Sequence, residues 1–438
     1  MKKKRIVADP QNKDMPPRMR IGFTEFIGKM VDKIKSSEFL NDSRVRPQDF
    51  TRSRKMSFPK LVLFMLNVAK ASIQTRLDDF FENVAEEDVS MTQQSFSEAR
   101  EKIRYAAFQE MFAYGVKVIY EGHYDTWNGY RLSATDGSKV QLPDDLELLR
   151  FFGGMGPDKS APTAQGSMLY DVLNNVIIDA RIAPLRIGER TLANRHIRVL
   201  CNCSSFCKEC IIYDRGYASF EFIENHIERG ISFVMRVKRG FNKAIDRLGK
   251  GDHEVFLKKH GHEDIRVRVL KFDLPSGEAE TLITDITDEG LGIEDFKELY
   301  FMRWPVETKY DAIKNKLQVE NFSGRTVKAI FQDFFITMYL ANAMTVASWE
   351  AQPVIDEQRS GKNNKYDYHV NANYAIGVFK DRFIRAMLVD NPRKRAREVK
   401  RILHLLTKNP VPTRPDRSIP RNKSPRKAKF RHNSKSSC

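Results

Sequence analysis

A strand-helix-strand pattern near the middle of the chain constrains the fold more than any other feature. Residues 210–213 form a short apolar strand that ends at Asp214, and residues 219–229 have helical character with a capping serine at the start. Gly230 is suited to end that helix, and residues 231–237 form another strand. Two strands joined by one helix pair in parallel, so this pattern predicts a parallel β-α-β unit.

The segment before this unit predicts antiparallel strands. Period-two alternation up to Ala134 leads into Asp136-Gly137-Ser138, which marks a first strand. Residues 168–173 and 176–182 form a second and a third strand, and they flank Asn174-Asn175, a dipeptide that accepts positive φ angles in a hairpin turn. Antiparallel strands followed by a parallel unit predict a mixed sheet, with Asp214 at a strand end where ligands bind.

Charge is concentrated at the C-terminus. The 438-residue chain has a net charge of +17, and residues 391–438 contain sixteen Lys and Arg against two acids. That segment therefore carries +14 and leaves about +3 for the rest of the chain. Clustered cations attract phosphate backbones, so we expect a polyanion partner, with nucleic acid as the first candidate.

Secretion and membrane insertion are disfavoured. The basic N-terminus is not followed by an apolar signal core, and the apolar runs 61–68 and 334–346 are shorter than the roughly 20 residues that span a bilayer. Four of the five cysteines crowd between Cys201 and Cys210, a spacing that favours free thiols in a reducing cytoplasm. We expect a cytoplasmic protein without a membrane partner.

The N-terminal region predicts helices that bind DNA. A buried helix begins near Ser57, and two more, at residues 72–81 and from Thr92 onward, make a plausible helix-turn-helix. Gln93, Gln94 and Arg100 are then exposed and able to reach DNA. A helical hairpin with solvated polar faces explains the same pattern equally well.

The most specific motif has the spacing Y-(2)-R-(3)-E-(6)-K, formed by Tyr300, Arg303, Glu307 and Lys314. On an ideal helix these positions fall in one narrow stripe. Pro305 modifies this picture, because the residue before a proline avoids the helical region. A new helix would then begin at Pro305, with Glu307 in its first turn.

Taken alone, this motif is also explained by a surface helix with ordinary ion pairs. The two aspartates favour a catalytic interpretation. Asp136 and Asp214 each end or interrupt a predicted strand, each has a glycine within two residues, and both precede Glu307. Three carboxylates from separate elements can hold two Mg²⁺ ions about 3.5–4 Å apart, which promote phosphoryl transfer.

Three motifs together resemble the DDE transposases of insertion-sequence family four, over roughly residues 55–350. They are Asp136-Gly-Ser, Tyr213-Asp214-Arg-Gly-Tyr217 and the motif from Tyr300 to Lys314. The resemblance implies metal ligation by Asp136, Asp214 and Glu307, with Mg²⁺ as cofactor and Mn²⁺ as a substitute. It also implies that Tyr300, Arg303 and Lys314 contact DNA near the cut.

The resemblance further implies a bacterial, nucleoid-associated transposase that acts as a homodimer. Its partners would be double-stranded DNA, both the terminal inverted repeats of the element and the target. The expected fold is α/β: a ribonuclease-H-like mixed sheet with flanking helices, a β-rich insertion and an N-terminal helical domain. The expected regions are an N-terminal helical DNA-binding region (1–125), the first catalytic part (126–239), the β-rich insertion (240–290), the second catalytic part (291–350), a C-terminal helical region (351–408) and a basic disordered tail (409–438).

Other clusters are weaker candidates. The cysteines at 201, 203, 207 and 210 could surround zinc, but ten residues is a tight span for four ligands. Asp144, Asp145, Asp171 and Asp311 fit no motif, and a solvated β-hairpin explains His253, His260 and His262. Two other functions stay open: a non-catalytic DNA-binding regulator derived from a transposase, and a metal-dependent nuclease without strand transfer.

Overall fold

The computed structural model describes residues 19–52, 54–67, 72–203, 207–274 and 277–413. The described chain divides into two compact units. The sheet unit contains residues 124–139 and 164–311, and the helical unit contains residues 19–123, 140–163 and 312–413. The N-terminal arm expected at residues 1–18 and most of the basic tail expected at 409–438 lie outside the described residues.

The helices of the described residues follow in chain order. They are α1 (Phe23–Lys35), α2 (Ser37–Ser43), α3 (Phe58–Met65), α4 (Ile73–Asp79), α5 (Gln93–Glu101), α6 (Ala106–Tyr120), α7 (Leu146–Phe152), α8 (Glu189–Cys203), α9 (Phe220–Glu228), α10 (Lys243–Asp246), α11 (Ile293–Phe301), α12 (Trp304–Asp311), α13 (Val327–Arg359), α14 (Ala372–Val378), α15 (Ile384–Leu388) and α16 (Pro392–Lys408). Three π-helical segments occur, at Phe80–Val84, Ala312–Lys316 and Phe379–Phe383.

The strands of the described residues are β1 (Tyr130–Gln141), β2 (Gly154–Met155), β3 (Ala161–Asp171), β4 (Val176–Pro184), β5 (Lys208–Tyr213), β6 (Ser232–Arg236), β7 (Gly251–Leu257), β8 (Ile265–Asp273), β9 (Ala279–Thr284), β10 (Tyr368–His369) and β11 (Val411–Pro412). Strands β1 to β9 form one mixed sheet, and β10 pairs with β11.

The main sheet has the order β4-β3-β1-β5-β6-β9-β8-β7, with β2 paired to the start of β3. Strands β3 and β4 are antiparallel, whereas β1, β5 and β6 run parallel to one another. Bonds from the Val172 amide to the Leu132 carbonyl and from the Thr135 hydroxyl to the Met168 carbonyl join β3 to β1. Antiparallel strands followed by a parallel unit confirm the expected ribonuclease-H-like fold class.

The predicted β-α-β unit is confirmed as β5-α9-β6. All residues of β5 from Glu209 to Tyr213 are buried, as expected for a parallel strand covered on both faces. The Ser219 hydroxyl accepts a bond from the Phe222 amide and caps α9. Gly230 follows the helix with φ of 62°, a left-handed conformation that glycine adopts without strain.

The β3-β4 hairpin is also confirmed. Asn175 has φ of 60°, the left-handed conformation that its residue type tolerates. The Asp171 carboxylate accepts bonds from the backbone amides of Leu173 and Asn174 and from the Asn174 side chain. Asp171 therefore has a structural role in the turn, as expected from its position outside the motifs.

Three strands lie within residues 240–290, the range of the predicted β-rich insertion. Strands β7, β8 and β9 form an antiparallel meander, and β9 pairs with β6 through residues 234–236 and 282–284. The insertion therefore extends the central sheet. This pairing covers the edge that β6 would otherwise present to solvent.

The helical unit is built around the long helix α13, whose buried residues include Phe334, Phe335 and Tyr339. The helix predicted to begin near Ser57 is α3, whose first turn contains Pro59. The apolar residues 61–67 are buried, and Val68 lies outside the described residues. Within the part of the chain that the structure describes, no helix is long and apolar enough to cross a membrane.

Candidate active site

Two of the predicted carboxylates lie on neighbouring parallel strands of the sheet unit. Ala134 of β1 pairs with Ile212 of β5. Asp136 and Asp214 each follow these partners by two residues, so the register places them at the same level of the sheet. Asp136 lies within β1, and Asp214 directly follows β5, where parallel strands present their carboxyl ends to ligands.

Glu307 comes to the site on a helix that begins where the sequence predicts. Helix α11 ends at Phe301, and α12 begins at Trp304 with Pro305 as its second residue. Glu307 therefore lies in the first turn of α12, near the positive end of that helix. Its Oε1 accepts a hydrogen bond of 3.0 Å from Arg303 Nη2.

Burial dominates the electrostatics of Asp136. It raises the pKa of this carboxyl from 3.8 to about 6, against the lowering effects of the Gly137 amide and the Arg303 charge. The negative charges of Glu307 and Glu189 raise the pKa of Asp136 further. Asp136 is therefore electrostatically coupled to Glu307, to Arg303 and to a fourth acidic residue.

Arg303 is coupled to all three predicted carboxylates. Burial lowers the pKa of its guanidinium, but Tyr300, the hydrogen bond to Glu307 and the charge of Asp214 together raise that pKa above its ordinary value. The Arg303 charge also acts on Asp136. These carboxylates come from three separate elements of the chain. Arg303 interacts electrostatically with each of them.

The donor chemistry of this cluster suits a hard divalent cation. Carboxylate oxygens are the ligands that Mg²⁺ requires, and Asp136, Asp214 and Glu307 supply them. Within the residues that the structure describes, no three His, Cys, Asp or Glu side chains stand close enough together to hold a metal ion.

Two tyrosine hydroxyls near these charges have no hydrogen-bond partner within the described residues. They are the hydroxyls of Tyr217 and Tyr300, and both are buried. Burial raises the pKa of Tyr300 to about 12, so its hydroxyl remains protonated at neutral pH. A buried hydroxyl without a partner is costly, and it is suited to donate to an incoming phosphate oxygen.

Residues 127–343 match the family model described as the transposase DDE domain. This part of the chain is therefore similar to a transposase DDE domain. No curated protein shows significant similarity to the chain. Among solved structures, one similar chain is the cryo-EM structure of a piggyBac transposase synaptic complex with hairpin DNA, with a TM-score of 0.45 and 10% identity. That match covers 93% of this chain and 89% of the other.

Glu189 is an acidic residue near Asp136 that the sequence interpretation missed. It is the first residue of α8, and its carboxylate charge raises the pKa of Asp136. A Cβ atom added to Gly137 would lie 2.4 Å from Glu189 Oε1, so the glycine permits this close approach. Glu189 belongs to no recognisable spacing, and only its position at a helix start after Gly188 indicates it.

Polar side chains contact the backbone carbonyl of Asp136. The Tyr310 hydroxyl of α12 donates a bond of 2.9 Å to the Asp136 carbonyl. Ser167 Oγ lies 3.5 Å from the same carbonyl and 2.9 Å from His196 Nε2, and His196 Nδ1 lies 2.7 Å from Asp179. These hydrogen bonds connect β1 to α12, β3, β4 and α8 within the sheet unit.

Lys314, the last residue of the predicted motif, lies in the helical unit. It is part of the π-helical segment that follows α12, and its Nζ lies 3.6 Å from Glu320 Oε1. The single helical stripe expected on an ideal helix is wrong, because the helix breaks before Trp304 and changes its winding after Asp311. The expected new helix at Pro305 is the arrangement that holds.

The expectation that Arg100 is exposed for DNA contact is wrong. Arg100 is only 6% exposed, and its guanidinium bonds to Gln332, Ser323 and Asp333 of the helical unit at 2.7 to 2.9 Å. These partners lie more than 220 positions away along the sequence. Arg100 therefore stabilises the helical unit, whereas Gln93 and Gln94 are exposed as expected.

The weaker candidates have structural explanations where the structure describes them. Cys201, Cys207 and Cys210 are free thiols, and the side chain of Cys203 lies outside the described residues. His262 bonds to Glu224 on the surface, and Asp145 caps α7. The side chain of Asp311 also lies outside the described residues.

Proposed function

We propose that this chain is the transposase of a bacterial insertion sequence of family four. It cuts DNA at the ends of the element and joins those ends to target DNA. The support comes from the DDE-domain match over residues 127–343 together with the coupling of Asp136, Asp214 and Glu307 through Arg303. The Y-(2)-R-(3)-E-(6)-K motif favours family four among transposases of this type.

The proposed chemistry is phosphoryl transfer at two divalent cations, with Mg²⁺ as the natural cofactor and Mn²⁺ as a substitute. Asp136, Asp214 and Glu307 would hold the metal. Such cations, when bound, lower the pKa of an attacking water or hydroxyl and neutralise charge on the leaving oxygen. The protein residues bind and orient the DNA so that the 3′ hydroxyl freed by the first cut attacks the target in the second step.

Three further residues have proposed contacts to DNA. Tyr300 donates its buried, unpartnered hydroxyl to a phosphate oxygen near the cut. Arg303 and Lys314 neutralise phosphate charge, for which a planar guanidinium is the better bidentate donor. The working form is a homodimer that holds two element ends together in the bacterial cytoplasm, associated with the nucleoid.

Cleavage of the element's own end DNA tests this function. Asp136→Asn, Asp214→Asn and Glu307→Gln should each reduce Mg²⁺-dependent nicking at least a thousandfold and leave DNA binding intact. Glu228→Gln, which removes an exposed carboxylate of the same unit, is the matched control and should nick normally. Normal nicking by any of the three variants would remove that residue from the site.

A labelled target plasmid separates a transposase from a nuclease. The proposal requires that wild-type protein joins the cleaved end to the plasmid. Cleavage without joining would identify a metal-dependent nuclease, and binding without cleavage would identify a non-catalytic regulator.

A further inference from the structure

Helix α16 of the helical unit has two faces of different chemistry. One face buries Val399, Ile402 and Leu406. Arg395 is also buried, and its guanidinium donates to the carbonyls of Val389 and Asp390 at 3.0 and 3.3 Å. This one arginine is therefore used to hold the start of the helix in place.

The opposite face of α16 is strongly cationic. Its members are exposed and have no side-chain partner within the described residues, and we call them the cationic face: Arg393, Lys394, Arg397, Lys400 and Lys408. The acidic residue of this helix, Glu398, is already paired with Arg401. The face therefore carries five uncompensated positive charges.

The spacing of these cations gives the face a direction. Arg393, Arg397 and Lys400 follow one another at intervals of four and three positions, so they lie along one stripe of the helix. From Arg393 to Lys408 the stripe extends about 22 Å, since each helical residue rises about 1.5 Å. That length exceeds the roughly 12 Å width of the DNA major groove, so the stripe can contact the phosphates on both edges of the groove.

Like charges held side by side repel one another, and a polyanion relieves that repulsion by replacing the cations' small counterions. The chain also continues from the end of α16 into residues 414–438, which contain nine Lys and Arg against one acid. We propose that the cationic face of α16 binds the phosphate backbone of double-stranded DNA without sequence preference. This inference rests on the proposed function only in taking DNA as the polyanion.

The test compares two full-length variants that lose the same net charge. One replaces three members of the cationic face (Arg393→Gln, Arg397→Gln, Lys400→Gln). The control replaces three other exposed cations of the helical unit that have no side-chain partner in the described residues (Arg52→Gln, Lys117→Gln, Lys362→Gln). Affinity for a duplex of unrelated sequence is measured over a range of salt concentrations, after equal thermal unfolding midpoints have shown that both variants fold.

Log affinity falls as log salt rises, and we expect this dependence to be less steep by about 2.7 in the α16 variant, since each lost phosphate contact contributes about 0.9 to the slope. The control should keep the wild-type slope. If the salt dependence decreased equally in both variants, net charge alone would explain the change, and the proposal would be overturned. Loss of binding to vesicles of anionic lipid, with DNA binding unchanged, would overturn it in favour of a membrane surface.

Cleavage by the wild-type protein is measured separately, so the two proposals fail independently. If the wild type does not cleave DNA but the slope falls as expected, the α16 inference stands and the proposed function fails. If the wild type cleaves its end DNA and the slope does not change, the α16 inference alone fails.

Discussion

At the scale of single residues, the electrostatics of the site centre on Arg303. Its charge lowers the pKa of Asp136, its Nη2 donates to Glu307, and the negative charge of Asp214 raises its own pKa. One side chain thus interacts with three carboxylates that are far apart in sequence. The motifs identified these residues in the sequence, but the interactions among them are seen only in the folded chain.

The unpartnered hydroxyl of Tyr300 gives a testable prediction. Tyr300→Phe should raise the free energy of unfolding by about 1 kcal/mol, because a buried hydroxyl without a partner costs about 1–3 kcal/mol. The same variant should lower DNA cleavage about tenfold, the equivalent of about 1.4 kcal/mol, through loss of a phosphate contact. Chemical denaturation and end-DNA nicking measure the two effects.

Tyr339 provides the matched control. Its hydroxyl is also buried and unpartnered within the described residues, but it belongs to α13 of the helical unit. Tyr339→Phe should raise stability by a similar amount and leave cleavage unchanged. If both variants lose cleavage equally, the loss reflects folding, and Tyr300 has no contact with DNA.

His226 predicts a pH dependence of stability. Its Nδ1 donates to the Ile231 carbonyl, and its Nε2 accepts from the Tyr213 hydroxyl. Burial lowers the pKa of His226 from 6.5 to about 4, so the neutral ring stabilises the fold above pH 6.5. That stability is lost as the pH falls from 6.5 toward 4, by about 2 kcal/mol between pH 7 and pH 5.

The measurement is urea unfolding of wild type and His226→Gln at pH 7 and pH 5. Wild type should lose about 2 kcal/mol more than the variant over that interval. Equal losses in the two proteins would show that His226 does not titrate in this range.

Sequence reasoning at the residue scale fails where partners come from distant segments. Arg100 looks like an exposed helix cation until Ser323 and Asp333 fold against it. Glu189 begins α8 in a stretch without a motif, and its approach to Gly137 depends on how β1 and α8 pack. No local pattern encodes either contact.

At the scale of elements, local signals predicted the sheet unit well. The capping serine before α9, Gly230 after it and Asn175 in the β3-β4 turn each fixed an element boundary. Pro305 likewise predicted the break that places Glu307 in the first turn of α12. The pairing of β9 with β6 could not be predicted, because sequence patterns identify strands but not their distant neighbours.

The bond from Tyr310 to Asp136 links two of these elements. Glu307 and Tyr310 lie one turn apart on α12, and the Tyr310 hydroxyl donates to the backbone of β1. Tyr310→Phe should cost about 1 kcal/mol of stability through the lost hydrogen bond. It should also lower the rate of cleavage without weakening DNA binding, since it loosens the helix that carries Glu307.

Single-turnover nicking measures the cleavage rate, and duplex affinity measures DNA binding. A matched substitution, Tyr114→Phe in the helical unit, should change neither. Weaker DNA affinity with an unchanged cleavage rate would contradict a positioning role for Tyr310.

At the scale of the whole molecule, the motif order along the chain and the strand order of the sheet agree. The order β4-β3-β1-β5-β6 places Asp136 and Asp214 on adjacent parallel strands, and the DDE-domain match spans residues from β1 to α13. The sequence predicted this fold class because hydrophobic patterns and turn residues are local. It did not predict that the chain divides into two compact units. Among the described residues, the sheet unit combines two separate segments and the helical unit combines three.

The proposed chemistry requires that Asp136, Asp214 and Glu307 bind the same divalent cations. Its most direct test is calorimetric titration of Mn²⁺ into wild type and into Asp136→Asn, Asp214→Asn and Glu307→Gln, with Glu228→Gln as control. We expect each of the three substitutions to weaken Mn²⁺ binding at least tenfold, and we expect the control to bind Mn²⁺ as wild type does. Unchanged Mn²⁺ affinity in any of the three variants would contradict the claim for that residue.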